Sequence, residues 1–91
     1  MTRVAPMTRA MRQALARAVR QERTRAGITQ AEMARRMDVD HQTIWRWESG
    51  RKDGRQSLLR CWRGGDPSTA RMAGRILTAA LRSEEEKCSS E

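Results

Sequence analysis

Phenylalanine and tyrosine are absent from this chain, and Trp45, Trp47 and Trp62 are its only aromatic residues of the large kind. A chain of 91 residues with so few rings must fill one small core with Leu, Ile, Val, Met and Ala around Trp47 and Trp62, and cores that thin often lean on a second copy. Cysteine is limited to Cys61 and Cys88, which excludes a disulfide framework. With the single histidine, His41, the two thiols do not supply a four-ligand zinc set, so neither a metal nor a cofactor is expected. Long apolar runs are missing too, and Met1 to Met7 is too short and mixed for a secretory leader. A reducing cytoplasm is the expected compartment. No nucleophile, base and orienting group share a useful spacing, and Gly64-Gly65 lacks the context of a phosphate loop, so the pattern is not that of an enzyme.

Basic charge is what the chain has in excess: 19 Lys and Arg against 11 Asp and Glu, for a net charge of +8. The excess is uneven, with 15 basic and 6 acidic side chains over residues 1–63 and 4 against 5 over residues 64–91. A coding bias toward G and C accounts for the preference for Arg over Lys, but not for the clustering. Positive charge gathered in one half is the electrostatic footprint of phosphate neutralisation.

That half contains two short helical segments between Gly27 and Gly50, separated by about three residues, the spacing of a helix-turn-helix. Thr29 is a good N-cap with Glu32 three residues on, a capping box in which each side chain satisfies an orphan backbone donor. Met33 and Met37 stand at i and i+4 beside Ala34, and Arg35 and Arg36 occupy the other face. Asp38-Val39-Asp40 breaks the periodicity. Asp40 is placed to cap a second segment over His41 to Ser49, which Gly50 ends in the left-handed conformation.

The two tryptophans of that second segment point about 200° apart, so both cannot be core. Ile44 and Trp47 share the buried face. Trp45 then falls with His41, Gln42, Arg46 and Ser49 on the polar one, whose chemistry suits base edges: Gln holds adenine, Arg holds guanine, and a flat ring rests on a thymine methyl. A merely solvated surface is the competing reading, weakened by the exposed indole.

Gly27-Ile28-Thr29-Gln30-Ala31-Glu32-Met33-Ala34, followed nine positions on by Thr43-Ile44-Trp45-Arg46-Trp47-Glu48-Ser49-Gly50, resembles the lambda-repressor-like, Cro-type helix-turn-helix domain. The resemblance spans Met11 to Trp62. It implies an all-α, five-helix domain, here with extended first and last helices, that reads double-stranded operators, usually as a homodimer. Carried onto this chain, it puts His41, Gln42, Thr43, Trp45 and Arg46 at base-reading positions and Gln30 on a phosphate. It also implies a structural ion pair, Arg23 with Glu48, tying the first helix to the end of the third. Arg35, Ser49 and the loop residues Arg51, Lys52 and Arg55 complete the expected phosphate contacts. Asp38 stands where the family usually has glycine, a position of positive φ that Asp adopts less readily.

Residues 1–7 read as a flexible basic arm, either following the DNA or without a role. Residues 8–63 form the DNA-binding domain. Within it Thr8 caps a first helix reaching Ala26, with Met11, Leu15, Ala18, Val19 and Ala26 buried. A short fourth helix from Ser57 to Trp62 closes the core with Leu58, Cys61 and Trp62, the thiol acting as a small hydrophobe. Asp53-Gly54 is a turn signal. Residues 64–86 make a last helix, capped by Asp66 with Pro67 at its first position and running to about Glu85, followed by a fraying tail over 87–91. Ala73, Ile76, Leu77, Ala80 and Leu81 form its apolar stripe, which packs on its own core or forms a dimer seam.

These readings converge on a small, nucleoid-associated transcription regulator, a dimeric repressor of its own promoter without a ligand domain. Chains of this kind occur as phage or mobile-element repressors, antitoxins and anti-CRISPR-associated autoregulators. The alternative is an antitoxin-like interaction module whose last helix binds a partner protein encoded in the same operon, with DNA binding secondary. RNA is the weaker ligand, because an α-helix cannot read the narrow groove of an A-form duplex.

Overall fold

A computed structural model describes residues 8–89, with side chains to Arg82. The expected N-terminal arm and the side chains of Glu84, Glu85 and Glu86 lie outside the described residues. Five helices follow one another: α1 (Arg9–Ala26), α2 (Gln30–Met37), α3 (His41–Glu48), α4 (Arg55–Gly64) and α5 (Pro67–Ser89). No strand occurs among the described residues.

Helix α1 begins where the Thr8 hydroxyl accepts the Met11 amide at 3.1 Å. It ends at Gly27, whose φ of 68° lets its N–H return to the carbonyls of Arg23 and Thr24, a left-handed stop that glycine adopts without a Cβ penalty. Along its length α1 packs against α5 and α3, α4 lies on α5, and α2 pairs with α3. The core between them is aliphatic and sulfur-rich: Leu15, Val19, Met33, Met37, Ile44, Leu58 and Ile76 are fully buried around Trp47, each such side chain contributing roughly 1.5–3 kcal/mol by leaving water.

An ion pair joins the longest helices. Glu22 is buried on α1, and its Oε1 accepts from Arg75 Nε of α5 at 2.8 Å and from Arg25 Nη2 at 2.9 Å. Burial pushes the Glu22 carboxyl up, but hydrogen bonds from Arg25 and Arg75, together with their charges, outweigh it and hold the group below its ordinary value.

Several sequence expectations are corrected. Ala26 is exposed with Thr24 and Arg25, because the last turn of α1 stands clear of the core. Trp62 is 53% exposed: α4 begins at Arg55 and turns Leu58 and Cys61 inward, leaving the indole one residue past that face, beside Gly74 of α5. Helix α5 continues to Ser89, beyond the expected end near Glu85. Its Ala73 and Ile76 have no exposed surface and belong to the chain's own core. Leu77 and Ala80 are half-buried, and Leu81 is exposed.

Candidate nucleic-acid interface

Helices α2 and α3 meet across a three-residue joint whose geometry follows from its residues. Thr29 Oγ1 accepts the Glu32 amide at 3.1 Å and starts α2. Only that half of the capping box forms, since the Glu32 carboxylate pairs with Arg35 and with Arg36. Asp38 ends α2 at φ 55°, and Val39 N–H donates to Ala34 O at 3.0 Å, closing a left-handed helix stop with Asp in the place glycine usually takes. Asp40 sits at the N-cap of α3 with extended backbone, but its side chain makes no capping hydrogen bond. That expectation is met in position and not in chemistry.

One side of α3 is committed to the core. Ile44 and Trp47 are fully buried and Glu48 is buried beside them. The opposite arc carries His41, Gln42, Trp45, Arg46 and Ser49, all exposed, with half-buried Thr43 at its margin. Trp45 is 47% exposed and Trp47 0%, the split that a two-residue spacing on a helix demands. Gln42 and Arg46 make no side-chain hydrogen bond or ion pair with other described residues. The tautomer of His41 protonated at Nε2 donates to Gln30 Oε1 over 3.2 Å, joining the first turns of both helices. Beyond the end of α3, the guanidinium of Arg51 lies 5.2 Å from the centre of the Trp45 ring, a cation–π contact.

Three arginines of α1 hold the far end of α3. Arg23 grips Glu48 through both oxygens, at 2.7 and 3.0 Å, and donates a further bond to Ile28 O. Hydrogen bonding to Glu48 raises the Arg23 pKa further above its ordinary value. Arg20 Nη2 donates to Glu48 O and Arg12 Nε to Gly50 O, placing cations where the helix dipole is negative. Arg12 and Arg20 were not singled out by sequence, although spacings of 8 and 3 residues put them on one face of α1 with Arg23. Gly54 was read as turn chemistry. Its φ is −97°, and it is packed so tightly that an added Cβ would lie 2.8 Å from the Trp47 ring. The absence of a side chain there makes room for the central indole.

The expected phosphate-facing residues divide into two sets. Gln30, Ser49, Arg51 and Lys52 lie at the ends of the α2–α3 unit, with Arg51 and Lys52 exposed. Arg35 is paired with Glu32, and Arg55 is held by Asp53 through contacts of 2.9 to 3.2 Å. The hydrogen bond from Arg55 holds the Asp53 carboxyl below its usual range. Cys61 donates to Met37 O at 3.4 Å, and burial pushes its thiol up, away from reactivity. Among the described residues no group of His, Cys, Asp and Glu is placed to hold a metal, and no helix is long and apolar enough to cross a membrane.

No curated protein and no solved structure matches the chain significantly. A family model described as a helix-turn-helix domain matches residues 14–86, taking in α2, α3, α4 and most of α1 and α5. With the geometry of the α2–α3 unit, this match shows that the chain belongs to the DNA-binding helix-turn-helix domain family.

Proposed function

We propose that the chain is a sequence-specific transcription regulator that lays α3 in the major groove of double-stranded DNA and represses its own promoter by occupying it. The observation that carries this reading is the division of α3 into a core face around Trp47 and an open arc bearing His41, Gln42, Trp45 and Arg46. Gln42 suits adenine, Arg46 suits guanine O6 and N7, and the Trp45 ring suits a thymine methyl. Gln30, Ser49, Arg51 and Lys52 would fix the register on phosphates. With Ala73 and Ile76 consumed by the core, α5 offers little for a stable seam, which needs roughly 1,200 Å² or more. Two copies are therefore proposed to pair on the operator, one per half-site.

Footprinting on the promoter upstream of the chain's own gene tests this. The expected result is an inverted repeat with half-sites about one duplex turn apart. Gln42→Ala and Arg46→Ala should each lose roughly 1–3 kcal/mol of binding to that site with the fold intact. Equal affinity of variants and parent would refute the assignment.

A further inference from the structure

We propose that the groove bounded by α1, α4 and α5 is a docking site for an acidic amphipathic helix of a second, different protein. The groove encloses about 1080 Å³, its apolar wall includes Met11, Leu15, Leu59, Trp62, Leu77 and Leu81, and no residue of α2 or α3 lines it. Trp62 is 53% and Leu81 64% exposed, and large apolar side chains gathered in one concave place mark an interaction surface where scattered ones do not.

The charge around the groove identifies the occupant. Arg71 and Arg82 line the groove on the stripe of α5 that also carries Arg75, which Glu22 engages, while Arg55, also in the lining, is held by Asp53. Among the described residues the single carboxylate lining it, Glu22, is engaged by Arg25 and Arg75. A second copy in a two-fold contact would bring the same patch to both sides, and the described lining of that patch offers no carboxylate beyond the engaged Glu22. Duplex DNA would satisfy the arginines and leave the apolar wall unmatched. A helix with leucines on one face and glutamates flanking them matches both, filling the wall and offering carboxylates to guanidinium groups. Since α3 stays outside the groove, the complex leaves the proposed DNA-reading arc open.

The test uses the full chain and a fluorescein-labelled peptide of about 16 residues, just above the length below which an isolated helix is marginal in water, with leucines along one face and glutamates beside them. A control peptide keeps the leucines and replaces each glutamate by lysine. In fluorescence anisotropy at moderate salt the glutamate peptide should bind at least about tenfold more tightly than the lysine peptide. Arg71→Glu combined with Arg82→Glu, and separately Leu81→Asp, should each weaken it by about tenfold or more, with melting temperature and operator footprint unchanged. Equal binding of the two peptides overturns the proposal. So does binding that survives the α5 changes but is lost with Arg46→Ala and Arg51→Ala, which would place the peptide on the α3 face. A free chain that sediments as a dimer and becomes monomeric with Leu81→Asp also overturns it, by showing that a second copy covers the groove. A lost operator footprint in the parent chain would count against the DNA-reading proposal alone.

Discussion

Replacing Glu48 by alanine removes the carboxylate that Arg23 grips at both oxygens and should destabilise the fold by about 2–4 kcal/mol. The Glu48 side chain is 3% exposed and that of Arg23 23%. Breaking a fully buried pair by deleting one partner costs about 3–5 kcal/mol, because the other charge is stranded. Arg23 retains some access to water and its bond to Ile28 O, which lowers the figure. A domain of 91 residues has a total stability of about 5–14 kcal/mol, so the loss is a large fraction. At about 4–8 °C per kcal/mol, the midpoint should fall by about 8–32 °C in thermal unfolding followed by circular dichroism. A double-mutant cycle with Arg23→Leu and Glu48→Leu isolates the pair: the double variant should be less destabilised than the single losses summed. An unchanged midpoint for Glu48→Ala, or losses that add within about 0.5 kcal/mol, would refute the reasoning.

Gly54→Ala should cost about 1–3 kcal/mol in urea unfolding, since the new methyl meets the Trp47 ring at 2.8 Å and the buried indole must shift. Asp38→Gly should stabilise by up to about 1 kcal/mol, because φ 55° carries a penalty for any residue with a Cβ, partly offset by the greater chain entropy of glycine when unfolded; a lower midpoint would mean that the Asp38 side chain contributes something beyond its backbone. Acid should unfold the protein through Glu22: its folded pKa is depressed, so its contribution is complete above the unfolded value near ~4.3 and fades as pH falls through the lower folded one. Asp53 and Asp66 shift in the same direction. Stability measured between neutral pH and about 3 should drop more steeply for the parent than for Glu22→Gln, and parallel curves would remove Glu22 from the account.

The parts of the structure most legible in the sequence are those set by local rules. Thr8, Thr29 and Gly27 mark helix ends because capping depends on a few adjacent residues. The separation of Trp45 from Trp47 follows from helical period alone. The pairing of Arg23 with Glu48 was implied by family resemblance, since nothing local joins two residues 25 apart. What escaped depends on how helices pack. Trp62 looked like core because an indole is large and apolar, but the inner face of α4 is set by Leu58 and Cys61. Ala26 lay on the buried stripe of α1, yet it is exposed with Thr24 and Arg25. Gly54 resembled an ordinary turn residue until Trp47 was seen to occupy the space a side chain would need. Glu22 was invisible in a charge-rich helix, because its burial requires Arg75 from another element.

Met33, Met37 and Met72 are among the buried residues of a core that holds a single buried indole. Thioethers bend and polarise to fill irregular space, but each carries an oxidisable sulfur that becomes polar as a sulfoxide. Peroxide reaches these atoms only when the helices part, so the pace at which they oxidise is a clock for opening of the fold. Once oxidised they no longer suit the interior, and a brief excursion becomes a lasting defect in the core.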